Sequence, residues 1–509
     1  MTLPADGDPL PDDPHALRAL VRELLDALAA ERRARAELQG RLDQLLRRLY
    51  GPKSEKHAPA PAPSDGATGS RDNALSLGVP VGHAPDAAAP RTRRGHGRKR
   101  LPRELPRQRV VHDLTAAEKL CPCCRTPRAR IGEEIAERLD YKPASLLVVE
   151  HIRPKYACAK CHAHVVIAPV PAEPLARSVA APGLLAQVVT AKFADHLPLY
   201  RLEGILARHG VELSRATMCD WLAACAEVLR PIYDAMCARV RASKVIHTDD
   251  TPVRVRGRKP ERARTGRIWV YVGDAHHPYV VYDATASRSR DGPHTFLKGF
   301  KGFVQADAFG GYDGLYATGA TEVACWAHAR RKFVEARDRD TRLALDALAM
   351  IRRMYDAERR AKDMTGESRL SLRRRESVPV LHALGEWLRA TRARVLPKSP
   401  LGSAITYALN QWDALNVYAT DGDLAIDNNA AERVLRGVAV GRKNWLFWGS
   451  MKGGKSAAVL TSLVATCKRH GLDPWSYLAD VLARIPSHPS ERLAELLPDA
   501  WAAARRATS

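Results

Sequence analysis

Several familiar features are missing from this chain. No apolar run reaches the roughly 18 residues that a membrane-spanning helix needs. The N-terminus is acidic and proline-rich, unlike a signal peptide. Ten cysteines in 509 residues are too few for a secreted disulfide scaffold. The expectation is a cytoplasmic protein with no membrane partner. Negative charge is also in short supply: 57 acidic residues face 80 basic ones, a net charge of +23. A surplus of that size points to a polyanion, and to nucleic acid in particular. A general bias toward arginine is the bland alternative. The 45% hydrophobic content is ordinary for globular proteins, and the length allows several domains.

Residues 12–56 read as a coiled-coil helix. Leu17, Val21, Leu24, Leu28, Leu38, Leu42, Leu45 and Leu49 follow an alternating four-three spacing, interrupted by Glu31 and Arg35. An ordinary amphipathic helix is the alternative. Residues 57–110 read as a flexible linker ending in a basic arm, whose Arg98, Lys99 and Arg100 are candidate phosphate contacts. A solvated linker would look similar. Residues 111–170 carry two Cys-x-x-Cys pairs, Cys121/Cys124 and Cys158/Cys161. Four thiolates can surround one structural Zn²⁺ and organise a segment too small for a strong core. Cys123 is a spare that could exchange with Cys124.

Residues 171–243 are helical in pattern. Pro198 opens one segment, His209-Gly210 breaks it, and Ser214 can cap the next. This helix–turn–helix outline fits either a DNA reader or a packing platform. A mixed α/β core is expected over 244–340, with apolar strands at 244–249, 268–273, 279–282, 304–307 and 322–326. A helical insertion (341–418), the second part of the core (419–456) and a C-terminal helical region (457–509) complete the chain.

Asp249 and Asp307 end two of these apolar runs, and Glu432 lies on a helix expected from about 428 to 436. Carboxylates gathered from separate elements repel one another unless cations lie among them. Oxygen ligands suit two Mg²⁺ or Mn²⁺ ions, which together support phosphoryl transfer. Spacing alone does not separate Asp249 from Asp250, which point to opposite faces of a continuing strand. Asp427 competes with Glu432, although it also suits a helix cap, and Glu432 could simply pair with Arg436. Asp283 and Asp313 read as turn residues. His328, Arg331 and Lys332 follow the fifth strand and could meet a phosphate. Arg442 and Lys443, beside Trp445, could hold phosphates while the indole stacks on an unpaired base.

The segment 449–456 satisfies G-x-x-x-x-G-K-S, the pattern of a nucleotide-binding loop. No apolar strand ending in an aspartate follows it, as such an ATPase would require. Lys455 and the glycines are then left either to approach a DNA phosphate or to form a tight turn.

Taken together, these motifs resemble the transposases of the insertion sequence 66 family. The resemblance rests on Arg47-Arg-Leu-Tyr-Gly-Pro-Lys-Ser-Glu-Lys56, the cysteine pairs and Leu197-Pro-Leu-Tyr-Arg201. It continues through His247-Thr-Asp-Asp-Thr-Pro-Val253, Thr265-Gly-Arg-Ile-Trp-Val-Tyr271 and Gln305-Ala-Asp-Ala-Phe-Gly-Gly-Tyr312. Cys325-Trp-Ala-His-Ala-Arg-Arg-Lys-Phe333, Asp427-Asn-Asn-Ala-Ala-Glu-Arg433 and Gly441-Arg-Lys-Asn-Trp-Leu-Phe447 complete it.

The resemblance implies a ribonuclease-H-like catalytic core with an Asp-Asp-Glu triad, interrupted before the glutamate. Carried over, the triad falls on Asp249, Asp307 and Glu432, which selects Asp249 over Asp250. It implies a transposase that binds terminal inverted repeats in double-stranded DNA, exposes 3′-hydroxyls and joins them to target DNA. A homodimer or larger synaptic complex is expected, and small accessory proteins of the same element are possible partners. Thr248, where relatives often carry alanine, and the extra Cys123 depart from the family pattern. A structure-selective nuclease and an inactive zinc-containing DNA-binding regulator are the alternatives in other functional classes.

Overall fold

A computed structural model describes residues 101–508 apart from 102, 104, 143–144, 161–164 and 257–262, together with positions 13 and 25. The coiled-coil reading, the linker with Arg98, Lys99 and Arg100, and Cys161 lie outside the described residues. The strands and helices from residue 107 onward belong to a unit spanning His96–Ser509.

The first sheet contains β1 (Arg107–Val111), β2 (Ala129–Lys142), β3 (Ser145–Ala157) and β4 (Val166–Ile167). Its order is β1-β3-β2, with β4 also on β3. The end of the expected basic arm is therefore strand rather than linker. Acids on β3 and on β2 beyond it explain the difference: Arg107 Nε lies 3.2 Å from Glu137 and 3.1 Å from Glu150, and Arg109 Nη2 lies 3.3 Å from Glu133. These cross-strand pairs engage two arginines at the end of the basic arm.

Leu139, Leu146 and Val148 of the β2–β3 hairpin enter the core of a helical domain. That domain comprises α1 (Pro182–Phe193), α2 (Leu199–Arg208), α3 (Arg215–Val228) and α4 (Arg230–Arg241). Gly210 turns the chain between α2 and α3 at φ +76°, and Ser214 caps α3 by accepting from the Thr217 N–H at 3.1 Å. The helix–turn–helix outline is present. Met218, Trp221, Leu222, Cys225 and Ala226 bury one side of α3, so it also acts as a packing platform.

The second sheet is the mixed core. It contains β5 (Val245–Val255), β6 (Arg264–Val272), β7 (Val280–Thr285), β8 (Phe303–Gln305), β9 (Thr321–Val323) and β10 (Phe447–Trp448). The order is β7-β6-β5-β8-β9. The β5–β6 and β6–β7 pairs are antiparallel, whereas β5–β8 and β8–β9 are parallel. This is the mixed sheet expected from the sequence, with the ribonuclease-H-like character that the family resemblance implies. Asp283, read as a turn residue, lies within β7 instead.

Strand β5 does not stop at Asp249 as expected. Strand β6 offers it a partner as far as Val255, and β10 pairs with Arg254 and Val255 on the other side. Strand β8 ends opposite His247, leaving one edge of β5 without a strand between β8 and β10. Pro252 sits in that gap, where a missing N–H costs no ladder bond. Asp249 sits there too.

Helices α5 (Asp291–Phe296), α6 (Asp313–Ala317) and α7 (Trp326–Ala336) complete the first part of the core. The insertion follows as α8 (Thr341–Arg360), α9 (Gly366–Leu372), a π turn over Arg373–Ser377, α10 (Val378–Arg392), α11 (Pro400–Asn410) and α12 (Trp412–Asn416). Its Leu348, Ile351, Met354, Leu384 and Ile405 share a core with Trp326 and Phe333 of α7. Four helices close the chain: α13 (Asn429–Trp445), α14 (Met451–Arg469), α15 (Pro474–Arg484) and α16 (Pro498–Thr508). Both α13 and α14 are longer than the sequence suggested.

Candidate active site

The gap in β5 is bridged by side chains associated with α13. Asn428, fully buried just before the helix, donates from Nδ2 to the Thr248 carbonyl at 2.8 Å. Burial pushes the His247 imidazole down to about 4, so the ring is neutral and its Nδ1–H can donate to Asn428 Oδ1 at 3.3 Å. At the other end of α13, Arg442 Nη1 donates to Thr251 Oγ1 and to the Pro252 carbonyl, both at 2.7 Å. The helix therefore lies along β5, with Glu432 in its first turn.

A second clamp comes from β8. The Gln305 side chain, also fully buried, donates to the Ala425 carbonyl at 2.5 Å and accepts from the Ala425 N–H at 3.3 Å. Asp307 follows it two residues later. Asp249 lies on the same side of β5 as His247 and Thr251, facing α13. Thr248 points the other way, with its hydroxyl 3.3 Å from the Tyr312 hydroxyl. Burial pushes the Asp249 carboxyl up to about 7; the charges of Asp307, Asp250 and Glu432 add to the rise, against a hydrogen bond from the Asp250 N–H. Asp307 and Glu432, far from Asp249 in sequence, thus both bear on its charge.

Because its folded value is raised, Asp249 contributes stability that is complete below its ordinary value of 3.8 and is lost as pH rises through about 7. Without added divalent cations, the wild type is expected to lose stability relative to Asp249→Asn across that range. Paired denaturation series in chelator at several pH values would check this. Parallel curves would contradict the assignment.

Asp250 has a different environment. Its side chain is 1% exposed and is held by Arg267 Nη1 at 3.0 Å and Arg288 Nε at 2.8 Å. Arg288 also reaches Asp307 Oδ2 at 3.4 Å and stacks over Phe309 at 4.1 Å. Arg288 is thus a counter-charge within the acidic cluster that the sequence reading missed. The Arg288-Ser-Arg290 run offered no local signal for this role.

Glu432 is not joined to Arg436 by an ion pair among the described residues. Its Oε1 lies 3.8 Å from His328 Nε2, and this oxygen is buried with no hydrogen-bond partner. One donor atom from each of Cys325, His328 and Glu432 fall within 4.8 Å of one another. Asp427, the rival carboxylate, accepts from the Tyr355 hydroxyl at 3.0 Å and from the Asn429 side chain at 2.7 Å.

The expected DNA contacts are distributed unevenly. Arg331, Lys443 and Lys455 are exposed, whereas Lys332 Nζ sits 4.8 Å over the Tyr407 ring. Arg442 is turned inward against β5, which engages the nitrogen expected to meet a phosphate. Trp445 lines a cleft of about 1110 Å³ together with Phe447 and Trp448, and Lys192, Arg256, Arg433, Lys452 and Lys468 also line it.

The nucleotide-loop pattern has a packing explanation. Helix α14 begins at Met451, and Ser450 Oγ caps it by accepting from the Gly453 N–H at 3.1 Å. A Cβ on Gly454 would meet Trp448 Cε3 at 2.6 Å, so this glycine permits a close helix–indole contact. The segment that matches the nucleotide-loop pattern is the capped first turn of a helix.

Beside the first sheet, the Cys121, Cys124 and Cys158 thiols lie within 4.8 Å of one another, consistent with a structural zinc site. Cys124 Sγ is 3.5 Å from Cys158 Sγ, too far for a disulfide. Cys123, absent from this cluster, is exposed. Zinc removal by a strong chelator is expected to raise amide exchange across residues 118–160 while leaving β5–β9 protected. Unchanged exchange in a zinc-stripped chain would contradict a structural role.

Residues 177–456 match the Transposase IS66 family. The chain belongs to this family. The IS66 C-terminal element matches residues 462–498, and the zinc-finger binding domain of transposase IS66 matches 118–162. A further match, Transposase C of IS166 homeodomain, covers 37–110. The uncharacterized protein y4hP of Sinorhizobium fredii is 36% identical over 442 residues, 82% of this chain and 79% of that protein. Protein y4qI of the same organism is 31% identical over 533 aligned positions, covering 96% of this chain and 97% of that protein. For a transposase-family chain, the feature to explain is the acidic cluster. Among the described residues, no helix is long and apolar enough to cross a membrane.

Proposed function

We propose that this IS66-family protein is a DNA transposase that binds the terminal inverted repeats of its element, cleaves to expose 3′-hydroxyls and joins them to target DNA. The observation that carries the reading is that Asp307 and Glu432, from separate elements, both lie close enough to Asp249 at the gap in β5 for their charges to raise its carboxyl. Asp249, Asp307 and Glu432 would hold two Mg²⁺ or Mn²⁺ ions. The donor set fits, because it offers hard carboxylate oxygens and leaves Glu432 Oε1 buried without a partner. When bound, such ions stabilise charge on the attacking and leaving oxygens of an in-line phosphoryl transfer.

The chain's own residues prepare that chemistry. Gln305 and Asn428 fix the approach of α13, and therefore of Glu432, to the two aspartates. Arg288 balances the charge of Asp307 before cation binding. Water is the nucleophile for strand cleavage, and the released 3′-oxygen is the nucleophile for joining, with no covalent protein intermediate. Because Asp249 must be ionised to act as a ligand, Mg²⁺ affinity should rise with pH through about 7.

DNA contact is assigned to His328, Arg331, Lys332, Lys443, Trp445 and Lys455, with Arg442 acting chiefly as a positioning residue. Arg98, Lys99 and Arg100 of the arm add phosphate contacts. Between Trp445 and Phe447, Leu446 is 61% exposed at φ +64°. An exposed apolar side chain held in that conformation costs about 1–3 kcal/mol, which favours a binding role for this turn. Synapsis of two ends requires a dimer or larger assembly, and small accessory proteins of the element are candidate partners.

The deciding experiment incubates labelled element-end duplexes and target DNA with the full chain, in Mg²⁺ and in chelator. Metal-dependent cleavage followed by joining of the 3′ end is expected. Cleavage without joining would identify a nuclease, and metal-independent end binding without cleavage would identify a regulator.

A further inference from the structure

We propose that Cys325, His328 and Glu432 form a site for a borderline transition-metal ion of the zinc class, beside the all-oxygen side of the acidic cluster. The two residues on α7 are placed by its first turn. Cys325 is the N-cap, and the His328 N–H donates to the Cys325 carbonyl at 3.2 Å. Glu432 meets them from the first turn of α13. One donor atom from each residue lies within 4.8 Å of the others, with His328 Nε2 and Glu432 Oε1 separated by 3.8 Å. Ligands about 2.0–2.3 Å from a tetrahedral ion lie roughly 3.3–3.8 Å apart, so only small side-chain shifts are needed.

Two further features point to an ion. Glu432 Oε1 is closed off from solvent without a hydrogen-bond donor, as is His328 Nδ1. A buried carboxylate oxygen without a donor is unfavourable, and a cation supplies the missing positive charge. The Asn428 N–H also points at Cys325 Sγ, at 3.2 Å. A backbone donor at this position supports a metal-bound thiolate from outside the coordination shell. The same Asn428 holds α13 against β5, so the feature that positions Glu432 for the aspartates also brings it to the cysteine and histidine.

Donor chemistry selects the ion. Sulfur and imidazole disfavour Mg²⁺, whereas a cysteine, a histidine and a carboxylate suit Zn²⁺ or Co²⁺. Three protein ligands leave a fourth position open to water or to a substrate oxygen. An ion held there engages Glu432, so zinc-class ions and Mg²⁺ compete for that carboxylate. The inference shares Glu432 with the proposed function but does not depend on strand transfer.

The test loads the full-length protein, its structural zinc retained, with Co²⁺ and records the absorption spectrum. Wild type is expected to bind one more Co²⁺ per chain than Cys325→Ser, with a thiolate-to-cobalt charge-transfer band that Cys325→Ser lacks. His328→Ala should weaken that cobalt affinity by about 100-fold or more. Circular dichroism and cooperative thermal unfolding confirm that each variant is folded. Should Cys325→Ser fail to fold, His328→Ala decides alone through the same band. Equal cobalt content and identical spectra in wild type and the folded variants would overturn the site. Strand transfer in Mg²⁺ without this band leaves the proposed function standing and removes the inference; the band without strand transfer does the reverse.

Discussion

Asp249→Asn, Asp307→Asn and Glu432→Gln are each expected to lower Mg²⁺-dependent strand cleavage and joining by about a thousandfold or more. Metal ions contribute several kcal/mol to such reactions, and about 4 kcal/mol corresponds to roughly a factor of a thousand in rate. End binding should change little, because the duplex is held by cationic residues outside the triad. Asp249→Asn carries a second signature. It removes a carboxyl that burial and its neighbours push up to about 7, so the metal-free variant should be more stable than wild type near neutral pH. A substitution that inactivates and stabilises at once is difficult to attribute to misfolding. Full Mg²⁺-dependent cleavage by any one folded variant would remove that residue from the catalytic set. The readouts are gel-resolved cleavage products and urea denaturation of the same preparations.

Arg373→Met is expected to destabilise the chain by about 3–5 kcal/mol, the usual result of breaking a buried, hydrogen-bonded ion pair from one side. Arg373 is 1% exposed and reaches the Glu358 carboxylate through two bonds, at 2.8 and 2.7 Å. It also donates to the carbonyls of Tyr418 and Asp421 at 2.7 Å and of Leu424 at 2.8 Å. It thereby ties the insertion to the segment that the Gln305 clamp takes up at Ala425. Arg373→Lys should recover little, since one ammonium cannot reproduce a forked donor set. The double variant Arg373→Met, Glu358→Leu should regain part of the loss, because neither charge is then left buried alone. Equilibrium denaturation gives all three values. A loss below about 1 kcal/mol for Arg373→Met would mean that water replaces the network.

The limits of the sequence reading have physical causes. The strands of the core were legible because apolar residues alternate or run together within a few positions. The triad drew its assignment from family resemblance, since spacing alone left Asp249 and Asp250 equal; the structure separates them by the Arg267 and Arg288 pairs on Asp250. Gln305 and Asn428 carried no local signal. Each acts on a residue more than 100 positions away, and a buried amide looks like any other polar residue until its partner is known. Arg442 was legible as a cation, but the gap in β5 that turns it inward arises from strand lengths in three dimensions. Strand β1 was misread because glycine and proline nearby suggested a linker, while the acids that neutralise Arg107 and Arg109 lie on other strands. Gly454 matched a nucleotide-loop pattern for a packing reason that only the Trp448 ring reveals.

The most direct measurement is Mn²⁺ binding to the full chain on its end duplex, followed by electron paramagnetic resonance. The account predicts a magnetically coupled Mn²⁺ pair in the wild type, its loss in Asp249→Asn, and weakened binding in Asp307→Asn and Glu432→Gln. Undiminished Mn²⁺ binding and coupling in all three folded variants would contradict it.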